Sequence, residues 1–278
     1  MTLATPNRET LVNLIVERLE MVVGELRDSF ENSINEVGVR YCVIDGLLPM
    51  DIAQLIYDSF PLVEKMRLMD SFRERKYTSK SFDKFAPLIA DITFAIQDPR
   101  VVHVIERITG IKDQIPDSSL YAGGLSAMGQ GHFLGPHIDN SHDASRENYR
   151  TLNLLYYVSP DWEMENGGNL ELWDRNVRNK VTVLSCFNRL VIMETNQWSW
   201  HSVNSVRTNR LRYCVSNYYF SPASPTSLEY FNITSFSARP EQKVLRAITW
   251  FDNKLRMMVR HFAPRGWGKE DVYKVPRT

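Results

Sequence analysis

The sequence predicts a mostly β protein with flanking helices, its strands closed into a sandwich or barrel. Three observations lead there. Between about residues 118 and 221, short apolar or alternating runs are separated by Gly, Asn, Asp and Pro. No stretch between those runs reads as a crossover helix. Apolar residues recur at helical spacing on either side of the region. Closely spaced short strands without intervening helices are the pattern of antiparallel sandwiches and barrels.

The elements follow in order. Residues 8–35 read as helix, because Leu11, Leu14, Ile15, Leu19, Val22 and Val23 recur at helical spacing with charges between them. RYCVIDGLLP (40–49) reads as a strand ending in a Gly and Pro turn. Helices are expected at 50–58, 82–97 and 99–108, the last stopped by Gly110. Strands are expected near 119–128, 132–139, 150–158, 169–173, 180–184, 189–194, 200–206 and 211–220. A last helix is expected over 240–262, with Pro240 at its start. The organisation expected is an N-terminal helical segment (1–39), a central domain (40–221) and a C-terminal helical extension (222–278).

Composition narrows the class. The 278 residues hold 33 Lys and Arg against 33 Asp and Glu, and a net charge of zero points to no nucleic-acid partner. Cys42, Cys186 and Cys214 form no CxxC, hence neither a disulfide framework nor a zinc knuckle. A reducing, cytoplasmic setting is the simplest expectation. Charges interrupt the apolar residues of the N-terminus, so no signal-peptide core appears, and no run reaches the ~20 apolar residues of a membrane span.

The stretch GPHIDNSHD (135–143) draws attention to metal chemistry. Residues two apart on a strand share a face, so His137 and Asp139 project together. One imidazole and one carboxylate are an incomplete site. His201, in the apolar-aromatic run WSWHSVNSV, is the third ligand expected. Two histidines and one carboxylate on one face hold non-heme Fe(II) and leave positions open for oxygen chemistry. His132 and His142 are expected to face solvent or support the site; His103 and His261 read as helix-surface residues. A second anchor is Arg212 in LRYCVSNYYF (211–220), which shares a face with Cys214, Ser216 and Tyr218. A barrel interior seldom holds an unpartnered arginine. Either an internal acid pairs with Arg212, or a carboxylate ligand does.

HxD at 137–139, GGNLELW at 167–173, His201 and RYCVSNYYF together resemble the prolyl-hydroxylase-like branch of Fe(II)/2-oxoglutarate-dependent dioxygenases. The resemblance runs over roughly residues 40–220 and implies a double-stranded β-helix (jelly roll) with supporting helices. It implies that His137, Asp139 and His201 ligate Fe(II) and form the catalytic centre. It also implies that Arg212 binds the distal carboxylate of 2-oxoglutarate, aided by the Tyr157 hydroxyl and by Ser216. Arg210 competes for that role, because Arg212 follows His201 at a longer interval than the family's. The implied reaction consumes 2-oxoglutarate and O2, releases succinate and CO2 and hydroxylates a C–H bond, with ascorbate as a supporting reductant. Asp139 favours hydroxylation over halogenation, since related halogenases lack that carboxylate.

Substrate contacts are expected from residues after HxD: Asn140, Ser141, His142 and Arg146. GGN (167–169) reads either as a hairpin turn or as a flap at the barrel mouth. Residues 240–269 carry seven basic residues against two acids, interleaved with Trp250, Phe251, Met257, Met258, Phe262 and Trp267. Such a helix either packs an apolar stripe on the barrel with its cations in solvent or lies on an anionic membrane. With HIDNSHD and GGNLELWD, it makes the chain similar to bacterial dioxygenases of glycan and lipopolysaccharide pathways. Hydroxylases of the sugar 3-deoxy-D-manno-octulosonate (Kdo) in lipid A precursors are the nearest of these. The substrate expected is therefore a sugar, glycolipid or small metabolite, met in the cytoplasm with peripheral contact to the inner membrane. The alternatives are a protein hydroxylase acting on prolyl, asparaginyl or aspartyl side chains, and a non-enzymatic jelly-roll binding module. A long open groove beside the metal would favour a protein substrate; a basic bowl would favour the glycolipid.

Overall fold

The computed structural model describes residues 5–262. Helices α1 (Arg8–Met21), α2 (Val23–Asn32) and α3 (Ile34–Val37) precede strand β1 (Tyr41–Asp45). Next come α4 (Met50–Asp58), the hairpin β2 (Arg67–Asp70) and β3 (Glu74–Ser79), then α5 (Pro87–Ala95) and α6 (Pro99–Thr109). The strand-rich half holds β4 (Ile115–Pro116), β5 (Gly124–Met128), β6 (Phe133–Ile138), β7 (Tyr149–Tyr157) and β8 (Leu170–Trp173). It continues with β9 (Lys180–Val183), β10 (Arg189–Glu194), β11 (His201–Val203), β12 (Arg212–Ser221) and β13 (Ser235–Phe236). Helix α7 (Lys243–Phe262) follows.

All strand pairs are antiparallel, in the order β1-β10-β7-β12-β5-β3-β6-β11-β8-β9. Strand β3 pairs with both β5 and β6, and so joins the two layers of the curled jelly-roll sheet. β7 shows why both faces matter. Leu152, Leu154 and Tyr156 face the helices and join Leu11, Ile15, Phe30, Ile92 and Ile105 in one core. Leu155 and Tyr157 face the other way, toward Leu170, Leu172 and Val191 between the layers. Such a strand is buried on both sides and loses its polar alternation.

The helix expected over 8–35 is three helices. It breaks at Val22, whose φ of −126° is not helical. The β-branched pair Val22–Val23 followed by Gly24 weakens the helix there. The break lets α1 pack on α5 and α6 while α2 meets α6 and β1. Gly110 ends α6 in the left-handed conformation, as expected. The helix expected over 82–97 starts at Pro87, after a single 3-10 turn. The β2–β3 hairpin was not anticipated, because its alternation is polar on polar: Lys76 and Thr78 look into a cavity rather than a core. The helix expected from Pro240 starts at Lys243, and its apolar stripe is not the side that packs on the barrel. Thr249, Asp252 and Asn253 face the body, Leu245 and Met257 are half-buried, and Val244, Ile248, Phe251, Leu255 and Met258 face out. Arg265, Trp267 and Lys269 of the C-terminal cluster and the side chain of His261 lie outside the described residues.

Candidate active site

The register of two neighbouring strands builds the centre. β11 pairs with β6 so that His201 stands opposite His137, their rings 4.1 Å apart. Asp139 follows the last residue of β6 and turns its carboxylate toward both. Oδ1 lies 3.7 Å from Nε2 of His137, and Oδ2 lies 3.7 Å from Nε2 of His201. The other ring nitrogens decide the tautomers. Nδ1 of His137 lies 3.0 Å from the Gly135 carbonyl, and Nδ1 of His201 lies 2.9 Å from the Ser199 carbonyl. A carbonyl only accepts, so each Nδ1 carries the proton and donates it. In the neutral ring, Nε2 then offers a lone pair on the side facing the carboxylate. Asp139 Oδ2 is itself buried without a hydrogen bond. Lone pairs on three buried groups, all within 4.8 Å of one another, are stable only if something positive sits among them. The residues fit a divalent metal ion.

Electrostatics point the same way. Burial and the neighbouring His201 lower the His137 pKa to about 3, so its ring is neutral at physiological pH. Burial by itself would raise Asp139, but the charges around it, the Arg150 guanidinium foremost, more than reverse this and hold it at about 2. Neutral imidazole with ionised carboxylate is the protonation state a metal requires. Arg150 is buried, with Nη1 3.3 Å from Asp139 Oδ1, and it donates to Asn140 Oδ1 at 2.6 Å. It also packs on the Tyr218 ring at 4.4 Å. Arg150 was not singled out, although it carries the signal that marks Arg212, a lone arginine in an otherwise apolar expected strand; its approach to Asp139 is a tertiary contact.

A pH prediction follows. Both pKa values are lower folded than unfolded, so the unfolded chain binds more protons across the intervening range. Stability is therefore present above pH ~6.5 and is lost as pH falls toward 3, with Asp139 adding to the loss below ~4. In chelator, the denaturation free energy should drop by about 2 kcal/mol between pH 6.5 and pH 5 from His137 alone. A His137→Phe variant should show a shallower slope; an unchanged slope would mean that His137 is not the group responsible.

The second anchor is Arg212. It is 3% exposed, and among the described residues no carboxylate pairs with it. Its guanidinium lies over the Tyr157 ring at 4.7 Å, with only long contacts to Ser185 Oγ (3.4 Å) and Met128 Sδ (3.5 Å). Burial raises the Tyr157 hydroxyl to about 12 against the pull of Arg212, and that hydroxyl is buried without a hydrogen bond of good geometry. An unneutralised buried cation beside a free phenol donor fits a carboxylate ligand. Cys214 and Ser216 continue the same face of β12 into the cavity. Arg210 is exposed and donates to the Asp161 and Pro160 carbonyls.

GGN is neither flap nor hairpin tip; all three residues are buried. Asn169 donates to the Met164 carbonyl and accepts from the Ser185 N–H, and a Cβ on Gly168 would lie 3.4 Å from Cδ of Arg212. The stretch forms the wall behind Arg212. Gly167 has φ +69°, ψ −159°, and a Cβ there would sit 2.0 Å from the Ser205 carbonyl oxygen. Gly167→Ala should therefore cost about 3 kcal/mol, read as a fall in Tm of roughly 6–10 °C. A shift below ~2 °C would show that the wall yields.

A cavity of about 520 Å³ holds both anchors, and Asn140 lines it. His142 and Arg146 do not; His142 packs on Tyr149 and Phe231, and Arg146 lies over Phe231. Ser141 is buried against Asn232. His132 is buried against Tyr77 rather than facing solvent, and His103 is exposed on α6. The β2–β3 hairpin supplies Arg67, Arg73 and Lys76 to the cavity, and Lys80 follows it. With Arg150, Arg212 and Arg256, seven cations line the wall. The acids there are Glu74 and Asp139, and Asp252 pairs with Arg73 and Arg256 from outside the wall. Among the described residues of the wall, basic side chains outnumber acidic ones.

Residues 123–220 match the 2OG-Fe(II) oxygenase superfamily. The chain is 31% identical over 96 residues to prolyl 3-hydroxylase OGFOD1 of Mus musculus, a match covering 32% of this chain and 17% of that protein. Its fold is similar to a prolyl hydroxylase from Trichoplax adhaerens, solved with a hypoxia inducible factor peptide fragment. That likeness has a TM-score of 0.51 and 18% identity, over 76% of this chain and 96% of the other. The non-heme alpha ketoglutarate dependent carbocyclase SnoK from nogalamycin biosynthesis is similar at a TM-score of 0.54 and 11% identity. That likeness spans 82% of this chain and 91% of the other.

Proposed function

We propose that this chain, whose residues 123–220 match the 2OG-Fe(II) oxygenase superfamily, is a dioxygenase that hydroxylates a C–H bond of an anionic sugar or glycolipid. The observation that carries the substrate class is the cationic wall of the cavity above the His-Asp-His centre. A carboxylated, phosphorylated glycolipid, of which Kdo in a lipid A precursor is the type, matches such a wall in sign.

His137, Asp139 and His201 would hold Fe(II), and Arg212 with Tyr157 and Ser216 would hold the 2-oxoglutarate carboxylate. Bound there, iron with 2-oxoglutarate and O2 supplies the oxidising power for C–H cleavage. The chain's own part is positioning. The two Nδ1–H donors lock the imidazole rings, Arg150 keeps Asp139 ionised, and the buried Arg212 fixes the cosubstrate's far end. Ascorbate would act outside this set, keeping the metal reduced.

A second reading is favoured by the identity to a prolyl 3-hydroxylase over 96 residues: hydroxylation of a prolyl side chain in a protein. Succinate formation from 2-oxoglutarate with Fe(II) and ascorbate, with a Kdo–lipid A acceptor or with proline-containing peptides, separates the two. Acceptor-stimulated turnover with the glycolipid is expected. Stimulation by the peptides alone would replace the glycolipid reading, and a folded, iron-loaded protein with no turnover would remove the enzyme reading in favour of a binding module.

A further inference from the structure

Helix α7 is amphipathic the wrong way round for a helix that merely packs on its own domain. Its body-facing side is polar. Asn253 donates to the Phe236 carbonyl at 2.6 Å and accepts from its N–H at 2.9 Å, and Asp252 bridges Arg73 and Arg256. The opposite side carries Val244, Ile248, Phe251, Leu255 and Met258, each between 48% and 77% exposed. Their spacing puts them on one stripe, with Val259 beside it. A soluble helix with nothing to cover it would present the reverse pattern.

Charge identifies the cover. Lys243 and Lys254 are exposed near the stripe, Trp250 lies at its edge with Lys254 over its ring, and the helix's only acid, Asp252, is tied to Arg73. A second copy of α7 would bring lysines against lysines, with no acid on the described helix itself left to offset them. An anionic lipid surface meets both requirements at once: acyl chains for the stripe, headgroups for the lysines, and the interfacial zone for Trp250. At about 30 Å long, and too polar to cross a membrane, the helix would lie flat.

We propose that the outward face of α7 docks this protein on an anionic membrane surface. Arg256, on the body side of α7, and Phe236, which α7 grips, both line the cavity, so docking brings its mouth to headgroup level. The purpose of the contact, delivery of a glycolipid to the metal centre, rests on the glycolipid reading above; the contact itself rests on α7 alone.

The test is flotation of the full chain with phosphatidylcholine vesicles, with and without phosphatidylglycerol, beside its solution mass and its acceptor-independent 2-oxoglutarate turnover. Binding to the phosphatidylglycerol vesicles, weakened by salt and absent with phosphatidylcholine alone, is expected. Phe251→Ser with Leu255→Ser should weaken it about tenfold or more, and Lys254→Glu several-fold, both without altering turnover. A monomer that binds neither vesicle overturns the proposal. So does equal binding to both vesicles, or a dimer that these substitutions dissociate. Failure of turnover with vesicle binding intact would count against the oxygenase reading and leave the docking surface standing.

Discussion

Asp139→Ala and His201→Ala should each lower succinate production at least about a thousandfold, because a bound metal supplies several kcal/mol of the transition-state stabilisation. The two variants should nevertheless part company in stability. Removing Asp139 strands Arg150, which is 3% exposed and has its charge balanced by that carboxylate at 3.3 Å. Its remaining contacts, Asn140 Oδ1 and the Tyr218 ring, are neutral. Breaking a buried pair from one side costs about 3–5 kcal/mol, and the neutral contacts put this case at the lower end. Removing His201 leaves the Arg150–Asp139 pair in place. Metal-free Asp139→Ala should therefore melt well below metal-free His201→Ala, though both bind no Fe(II). Equal melting temperatures would mean that Arg150 does not depend on Asp139. Retained metal in either variant would displace the centre from these residues.

Arg212→Met should raise the apparent Kd for 2-oxoglutarate about a hundredfold or more, since one partner of a buried charge pair is worth about 2–5 kcal/mol to the complex. Without cosubstrate the same variant should be more stable than the parent, not less. The guanidinium is buried with no acid beside it, whereas methionine keeps the stem over Tyr157 and needs no counter-charge. Opposite signs for binding and stability mark a residue kept for its ligand. A loss of both would make Arg212 a structural residue, and unchanged 2-oxoglutarate binding would pass the role to another cation of the cavity wall. Arg210, exposed and engaged with two backbone carbonyls, is the control: its substitution should leave 2-oxoglutarate binding nearly unchanged.

The sequence by itself determined the strand-rich core, the flanking helices and the Gly110 stop, and it marked His137, Asp139, His201 and Arg212 as candidates. These are local matters. Alternation says that His137 and Asp139 share a face and that Arg212 shares one with Ser216, and a lone arginine on an apolar strand announces an interior charge. Tertiary structure decided whatever depends on pairing between distant strands. The β6–β11 register sets His201 against His137, the folded sheet brings Arg150 of β7 within 3.3 Å of Asp139, and only burial separates Arg212 from Arg210. It also turned the polar 67–79 segment into a cavity-lining hairpin and set α7 with its apolar stripe outward. Periodicity tells which residues share a face. It does not tell which face the rest of the chain will cover, because that depends on partners far away in sequence.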